Sequence, residues 1–266
     1  MHRYPLAEVQ RRTYRSLDSW WTVLLVDPHA SRLVRLVAPY RWVTPNRLTM
    51  LAGLIGVGAA ACFVQGGRWW LAGGALLFHL AFVVDCMDGK LARLNGAGTL
   101  LGAWFDFMGD RLRVILCAAA LMGGQYRRTG EARYLWLVAL VIALDLLRYL
   151  NAGQMGRIRA AIRQQHPAVP NGAGVAAAIH AAMRAKRIRL QVVSGVEFEM
   201  AVFIVAPLSG YLAGVTLAAG ALLTLVEVRL IVVLVGSVRR HSESIAAFAD
   251  LHRFDQQAAV ARQGAG

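Results

Sequence analysis

Acidic residues are scarce in this sequence: 15 Asp and Glu stand against 29 Lys and Arg, giving a formal net charge of +14 and a pI near 10.9. Cysteine is scarcer still. Cys62, Cys86 and Cys117 each lie in an apolar run and none forms a CxxC pair. Neither a disulfide framework nor a cysteine zinc site is supported by that pattern, and small core residues are the reading. No internal repeat is visible. The first forty residues are polar and Arg-rich, without an apolar core next to a small-residue cleavage site, so no secretory signal peptide is expected. Arg interleaved with aromatics in a soluble fold is also missing, which argues against nucleic acid as the partner of the positive charge. The basic residues flank apolar spans instead, and that placement suits an anionic membrane surface.

Long apolar runs are abundant, since 57% of the residues are hydrophobic. Several runs are long enough to cross a bilayer. The pattern predicts an all-α polytopic membrane protein with about six transmembrane helices, over roughly 48–65, 69–85, 99–123, 134–150, 198–212 and 215–235. Before the first span, the piece from Ala30 to Ala38 alternates Arg with Leu and Val at helical spacing, which predicts an N-terminal amphipathic surface helix. Residues 1–47 thus form a juxtamembrane segment, 48–236 a membrane domain with a basic insertion at 152–192 broken at Pro167–Gly174, and 237–266 a polar tail. Six spans place both termini on one side. Charge bias assigns that side, with a Lys90/Arg93 turn, the 148–189 loop and Arg239–Arg240, to the cytoplasm of the cell membrane; Arg127, Arg128 and Arg133 oppose the bias.

Against this apolar background four carboxylates cluster. Asp85 and Asp88 are spaced i,i+3, and Asp106 and Asp110 i,i+4, so each pair shares one helical face. Such groups near hydrocarbon need countercharge. One or two divalent cations supply it, and hard oxygen donors select Mg²⁺ or Mn²⁺. Gly89 and Ala92 allow backbone or ligand to approach closely. Arg93 offers a planar fork for phosphate oxygens. Gly102 permits close helix packing, and Thr99 can hydrogen-bond a ligand. Thr44–Pro45 starts the first span.

The spacing D-x2-D-G-x2-A-R-x8-G-x3-D-x3-D, filled at Asp85, Asp88, Gly89, Ala92, Arg93, Gly102, Asp106 and Asp110, resembles the CDP-alcohol phosphotransferase family. The motif covers about a tenth of the chain, but its many fixed positions make it specific. The resemblance implies two metal ions held chiefly by Asp85, Asp88 and Asp106, with Asp110 at the metal site and also the base for the acceptor hydroxyl. It implies cytidine binding by Asn46 and a homodimer. The activity implied is transfer of a substituted phosphate from a CDP-alcohol to a small alcohol or alcohol phosphate, with release of CMP. The membrane setting favours CDP-diacylglycerol as donor; CDP-inositol, CDP-choline or CDP-ethanolamine is the alternative, and a carboxylate-based cation transporter the remote one. Arg148, Arg157 and Glu199 are candidate acceptor residues. Glu197, Glu199, Glu227 and Arg229 either line the acceptor pocket or join helices. Asp145 and Arg148 are spaced to pair, and His79 lies off the face of Asp85.

Overall fold

The computed structural model describes residues 4–165, 181–189 and 193–263, with side chains for all of these except 161, 163–165 and 240–263. The Pro167–Gly174 break and much of the 152–192 insertion fall outside the described residues. The described chain is helical, with one isolated parallel β-bridge between Asp18 and Ile188. Two short helices, α1 (Leu6–Thr13) and α2 (Asp27–Val37), precede the long ones. These are α3 (Pro45–Gln65), α4 (Arg68–Asn95), α5 (Leu100–Thr129) and α6 (Arg133–Gln165). Next come α7 (Gly195–Met200) and α8 (Ala206–Ser209), joined by a π-turn, and then α9 (Leu212–Gln263).

Local chemistry sets the boundaries that matter for the site. Thr44 Oγ1 accepts from Arg47 N at 3.4 Å and Pro45 opens α3, a side-chain cap followed by a preorganised first turn. Gly66, with φ 67°, ends it. Nothing between Asp85 and Asn95 breaks a helix, so α4 carries Lys90 and Arg93 within it. The expected turn at those two residues is displaced to Gly96, whose φ of 63° closes α4. Thr99 then caps α5, its Oγ1 accepting from Gly102 N at 3.0 Å.

Among the described residues, four helices are long and apolar enough to cross a membrane: Pro45–Gln65, Arg68–Asn95, Arg133–Ala160 and Leu212–Arg239. Six spans were expected. The remaining two candidates are helical but differ for physical reasons. α5 carries Asp106, Asp110, Arg111 and Arg113 in its first half. The helical stretch Gly195–Ser209 ends at Gly210, whose φ is 78°, short of the length that a straight crossing needs.

The chain divides into two units, Met1–Tyr149 with Asn171–Thr224, and Leu150–Pro170 with Leu225–Gly266. In the first, α3 packs against α4 and α5. Small residues allow the approach. A Cβ at Gly124 would fall 2.5 Å from Phe63 O, and one at Gly74 would fall 2.5 Å from the Phe63 ring. Phe78 and Phe203 stack in this core with centroids 4.5 Å apart. The Val26, Ala30 and Val34 stripe is fully buried, as α2 packs on α4. Arg32, Arg35 and Leu36 stay exposed, so the helix is amphipathic with its inner face on protein. In the second unit, Asn151 Nδ2 donates to the buried Glu227 at 2.7 Å. Glu227 therefore joins two helix segments there.

Candidate active site

α4 presents Asp85 and Asp88, both buried, and α5 presents Asp106 and Asp110, both half-buried. One carboxylate oxygen from each of Asp85, Asp88 and Asp106 lies within 4.8 Å of the other two. Oxygen donors at that separation from two helices fit a hard divalent cation. Thr49 Oγ1, one turn into α3, donates to Asp88 Oδ2. A fixed cation also serves the group. Arg113 Nη1 lies 3.4 Å from Asp85 Oδ1, and its Nη2 donates to Asp110 Oδ1. The Arg113 stem lies in a notch at Gly56, where a Cβ would come within 3.0 Å of its Cγ and Cδ.

The four aspartates line a cavity of about 260 Å³. Its other walls include Arg93 from α4, Tyr149 and Glu199 from further along the chain, and Arg15, Asp18 and Thr22 from the N-terminal segment. A smaller cavity of about 120 Å³ adjoins it, because Asp88 and Asp106 line both. Asn46, Ala92, Thr99 and Gly102 line this second space. A Cβ on Gly102 would stand 3.0 Å from Thr99 Oγ1 and 3.5 Å from Asn46 Oδ1, so glycine keeps that wall open. Arg93 lies over Gly89, where a Cβ would be 3.5 Å from its Nη1, and its Nε donates to Thr13 O at 2.9 Å. Of the residues expected to hold the nucleotide, Asn46, Ala92, Arg93, Thr99 and Gly102 line these two adjoining cavities, whereas Gly89 lines neither and sits beneath the Arg93 guanidinium.

A family model for CDP-alcohol phosphatidyltransferase matches residues 42–226, well over half of the chain. The chain belongs to the CDP-alcohol phosphatidyltransferase family. Among curated relatives, the phosphatidylinositol phosphate synthase of Corynebacterium glutamicum is 35% identical over 89 residues, 34% of this chain and 37% of that protein. The CDP-diacylglycerol–glycerol-3-phosphate 3-phosphatidyltransferase of Cereibacter sphaeroides is 39% identical over 83 residues, 31% of this chain and 38% of that protein. The phosphatidylinositol phosphate synthase of Mycolicibacterium smegmatis is 38% identical over 84 residues, 31% and 36% respectively. The chain spans a little over a third of the length of each of these relatives.

In this phosphatidyltransferase-family chain the polar residues beyond the motif are arranged differently from their sequence spacing. Both Asp145 oxygens accept from Arg111 Nη1, on α5, where Arg148 had been the expected partner. Arg111 Nη2 also reaches Glu199 Oε1 at 3.1 Å, and the guanidinium lies 3.6 Å over the Tyr149 ring. Tyr149 OH donates to Glu199 at 3.3 Å. Of the acceptor candidates, Glu199 lines the larger cavity. Arg148 is half-buried on α6 and lines neither of the two cavities, and Arg157 is exposed in the second unit. Glu197 accepts from Ser194 N at 2.9 Å as a capping box for α7 and lines neither of the two cavities. His79 packs edge-on against Trp21, 6.2 Å between centroids, away from the carboxylates.

Sequence reading missed several of these residues. The spacing of the aspartates pointed to divalent cations as their countercharge, yet Arg113 stands i+3 from Asp110 and engages two of the four. Two arginines inside an otherwise apolar stretch were the available signal. The N-terminal wall is held by Asp27, which is buried and paired with Lys90 Nζ at 2.6 Å and Arg187 Nη2 at 2.8 Å. Arg187 Nε donates to Arg15 O at 3.0 Å, and backbone bonds tie Asp18 to Arg187 and Arg189. No local spacing announces those contacts.

Proposed function

We propose that the chain transfers a phosphatidyl group from CDP-diacylglycerol to the hydroxyl of a second alcohol and releases CMP. The observation carrying this reading is the convergence of Asp85, Asp88 and Asp106 where two cavities meet, with Asp110 on the larger one. The smaller cavity suits the cytidine end, with Asn46 and Thr99 as hydrogen-bonding groups and Ala92 and Gly102 leaving space. The pyrophosphate then lies over Asp88 and Asp106, and Arg93 meets its oxygens. Mg²⁺ or Mn²⁺, as two ions held by Asp85, Asp88 and Asp106 with Asp110 beside them, supplies neutralisation of the phosphate charge. Asp110 takes the proton of the acceptor hydroxyl as its oxygen bonds to the lipid-bearing phosphorus. The phosphorus–oxygen bond to the other phosphate breaks, and its electron pair leaves with CMP.

The acceptor enters the larger cavity. Arg15 on its wall supports an acceptor that itself carries a phosphate, and Glu199, oriented by Arg111 and Tyr149, suits a hydroxyl. One relative is named for making phosphatidylinositol phosphate and another for phosphatidyl transfer between CDP-diacylglycerol and glycerol 3-phosphate, and both names support the same class. We place the catalytic domain at 48–236, between a juxtamembrane segment at 1–47 and a tail at 237–266. The charge bias supports a cytoplasmic site and cytoplasmic termini, and the small-residue helix faces suit a homodimer.

The test is CMP release by the detergent-solubilised chain given CDP-diacylglycerol. Glycerol 3-phosphate, inositol 1-phosphate, inositol and serine are offered in turn, with Mg²⁺, with Mn²⁺ and with chelator. Metal-dependent release with one acceptor, lost in Asp110→Asn, is expected. Release only from a soluble CDP-alcohol would move the donor, and silence with every donor in folded, metal-binding protein would overturn the reading.

A further inference from the structure

Arg113 is 6% exposed, and its guanidinium spans two helices by engaging Asp85 of α4 and Asp110 of α5. Its stem is confined by Gly56 of α3, and its Cζ stands 5.9 Å from the Phe78 ring centroid. Three of the four aspartates present oxygens within 4.8 Å of one another, and Asp110 is not among those three. Arg113 Nη2 donates to the carboxylate outside that set, and within the set the guanidinium reaches Asp85, at 3.4 Å.

We infer that Arg113 is a positioning residue that holds Asp110 aside from the metal-binding aspartates and aims it at the acceptor hydroxyl. The inference rests on the reading of Asp110 as the base. Two consequences follow from charge and shape. A guanidinium beside Asp85 and Asp110 repels an incoming divalent cation, so it lowers the affinity of the carboxylates for metal. Its planar fork can span two carboxylates, whereas a lysine offers a single point charge. A salt bridge serving stability alone has neither signature: its loss loosens the fold and weakens metal binding along with everything else.

The experiment uses the full chain in detergent. Mn²⁺ binding is measured without substrate by the paramagnetic resonance of the free ion, and kcat and KM are measured separately with Mg²⁺. Arg113→Gln is expected to bind Mn²⁺ more tightly, roughly tenfold, while kcat falls about 100-fold. KM for the CDP-linked donor stays within about twofold. Arg113→Lys keeps the charge and is expected to bind Mn²⁺ as the parent does, with kcat still depressed. Gly56→Ala presses on the Arg113 stem without changing any charge. Its kcat is expected to fall several-fold with unchanged Mn²⁺ affinity, and this variant decides the matter if Arg113→Gln does not fold. Equal or weaker Mn²⁺ binding by Arg113→Gln overturns the inference, as does parental kcat in Gly56→Ala where Arg113→Gln is unfolded. Absence of CMP release from the parent chain would fail the underlying reading instead, while the Mn²⁺ measurements would still report on Arg113.

Discussion

Replacing Asp27 with Leu removes a carboxylate that is 2% exposed and leaves two cations behind. They are not equivalent. The Lys90 side chain is 5% exposed and cannot regain water where it lies, whereas that of Arg187 is 25% exposed and can. The main loss therefore falls on Lys90, and breaking a buried pair by deleting one partner costs about 3–5 kcal/mol. Removing an acidic residue from the first turn of α2 adds only about 0.3–1 kcal/mol, too little to imitate the larger effect. Lys90→Met in the same chain removes the orphaned charge and fills its volume. Apolar replacement of a buried pair is often neutral or better, so Asp27→Leu/Lys90→Met should lie within about 1.5 kcal/mol of the parent. Denaturant unfolding of the detergent-solubilised parent, both single variants and the double variant closes the cycle. The double variant must lose far less than the sum of the singles. Additivity to within about 0.5 kcal/mol would refute the pairing, because uncoupled sites behave that way.

Other expectations concern packing and the site. Gly124→Ala drives a methyl against the carbonyls of Phe63 and Val64, at 2.5 and 2.8 Å, neither of which can rotate away. A loss of about 1–3 kcal/mol is expected, read as a lower unfolding midpoint. Thr49→Val keeps the shape and deletes the hydroxyl that donates to Asp88; metal affinity measured by Mn²⁺ titration should fall about 10-fold. Gly102→Ala presses on Thr99 Oγ1 at 3.0 Å. KM for the CDP-linked donor should rise, while KM for the acceptor and Mn²⁺ affinity stay unchanged, since the smaller cavity is the one affected.

The placement of the four-aspartate motif was legible because it is local. Asp85 with Asp88, and Asp106 with Asp110, are brought to one face by helical periodicity alone, and Gly89, Ala92, Arg93 and Gly102 ride on the same two helices. The helix starts at Pro45 and after Thr99 were legible for the same reason, since a cap and its first turn lie within four residues. Element lengths were less so. Apolarity marks where a helix can sit in lipid but not where it stops, so α4 runs on through Lys90 and Arg93 to Gly96, and α6 and α9 continue well past their apolar stretches.

Partner choice is where local reasoning gave out. Asp145 and Arg148 satisfy the helical spacing for a pair, yet Arg111, 34 residues away in sequence, donates to both Asp145 oxygens. A buried carboxylate takes the cation that packing delivers with good geometry, and i,i+3 proximity on a surface is worth only a few tenths of a kcal/mol. The same logic joins Asp27 to Lys90 and Arg187, 63 and 160 residues away. These distant pairs set how the cavity is walled. Lys90, which lines it, is turned toward Asp27, and Arg187 fastens the N-terminal segment whose Arg15, Asp18 and Thr22 form the opposite side. The motif alone therefore supplies the four carboxylates. The cavity they line is walled by ion pairs that exist only once α2, α4 and residues 181–189 have come together.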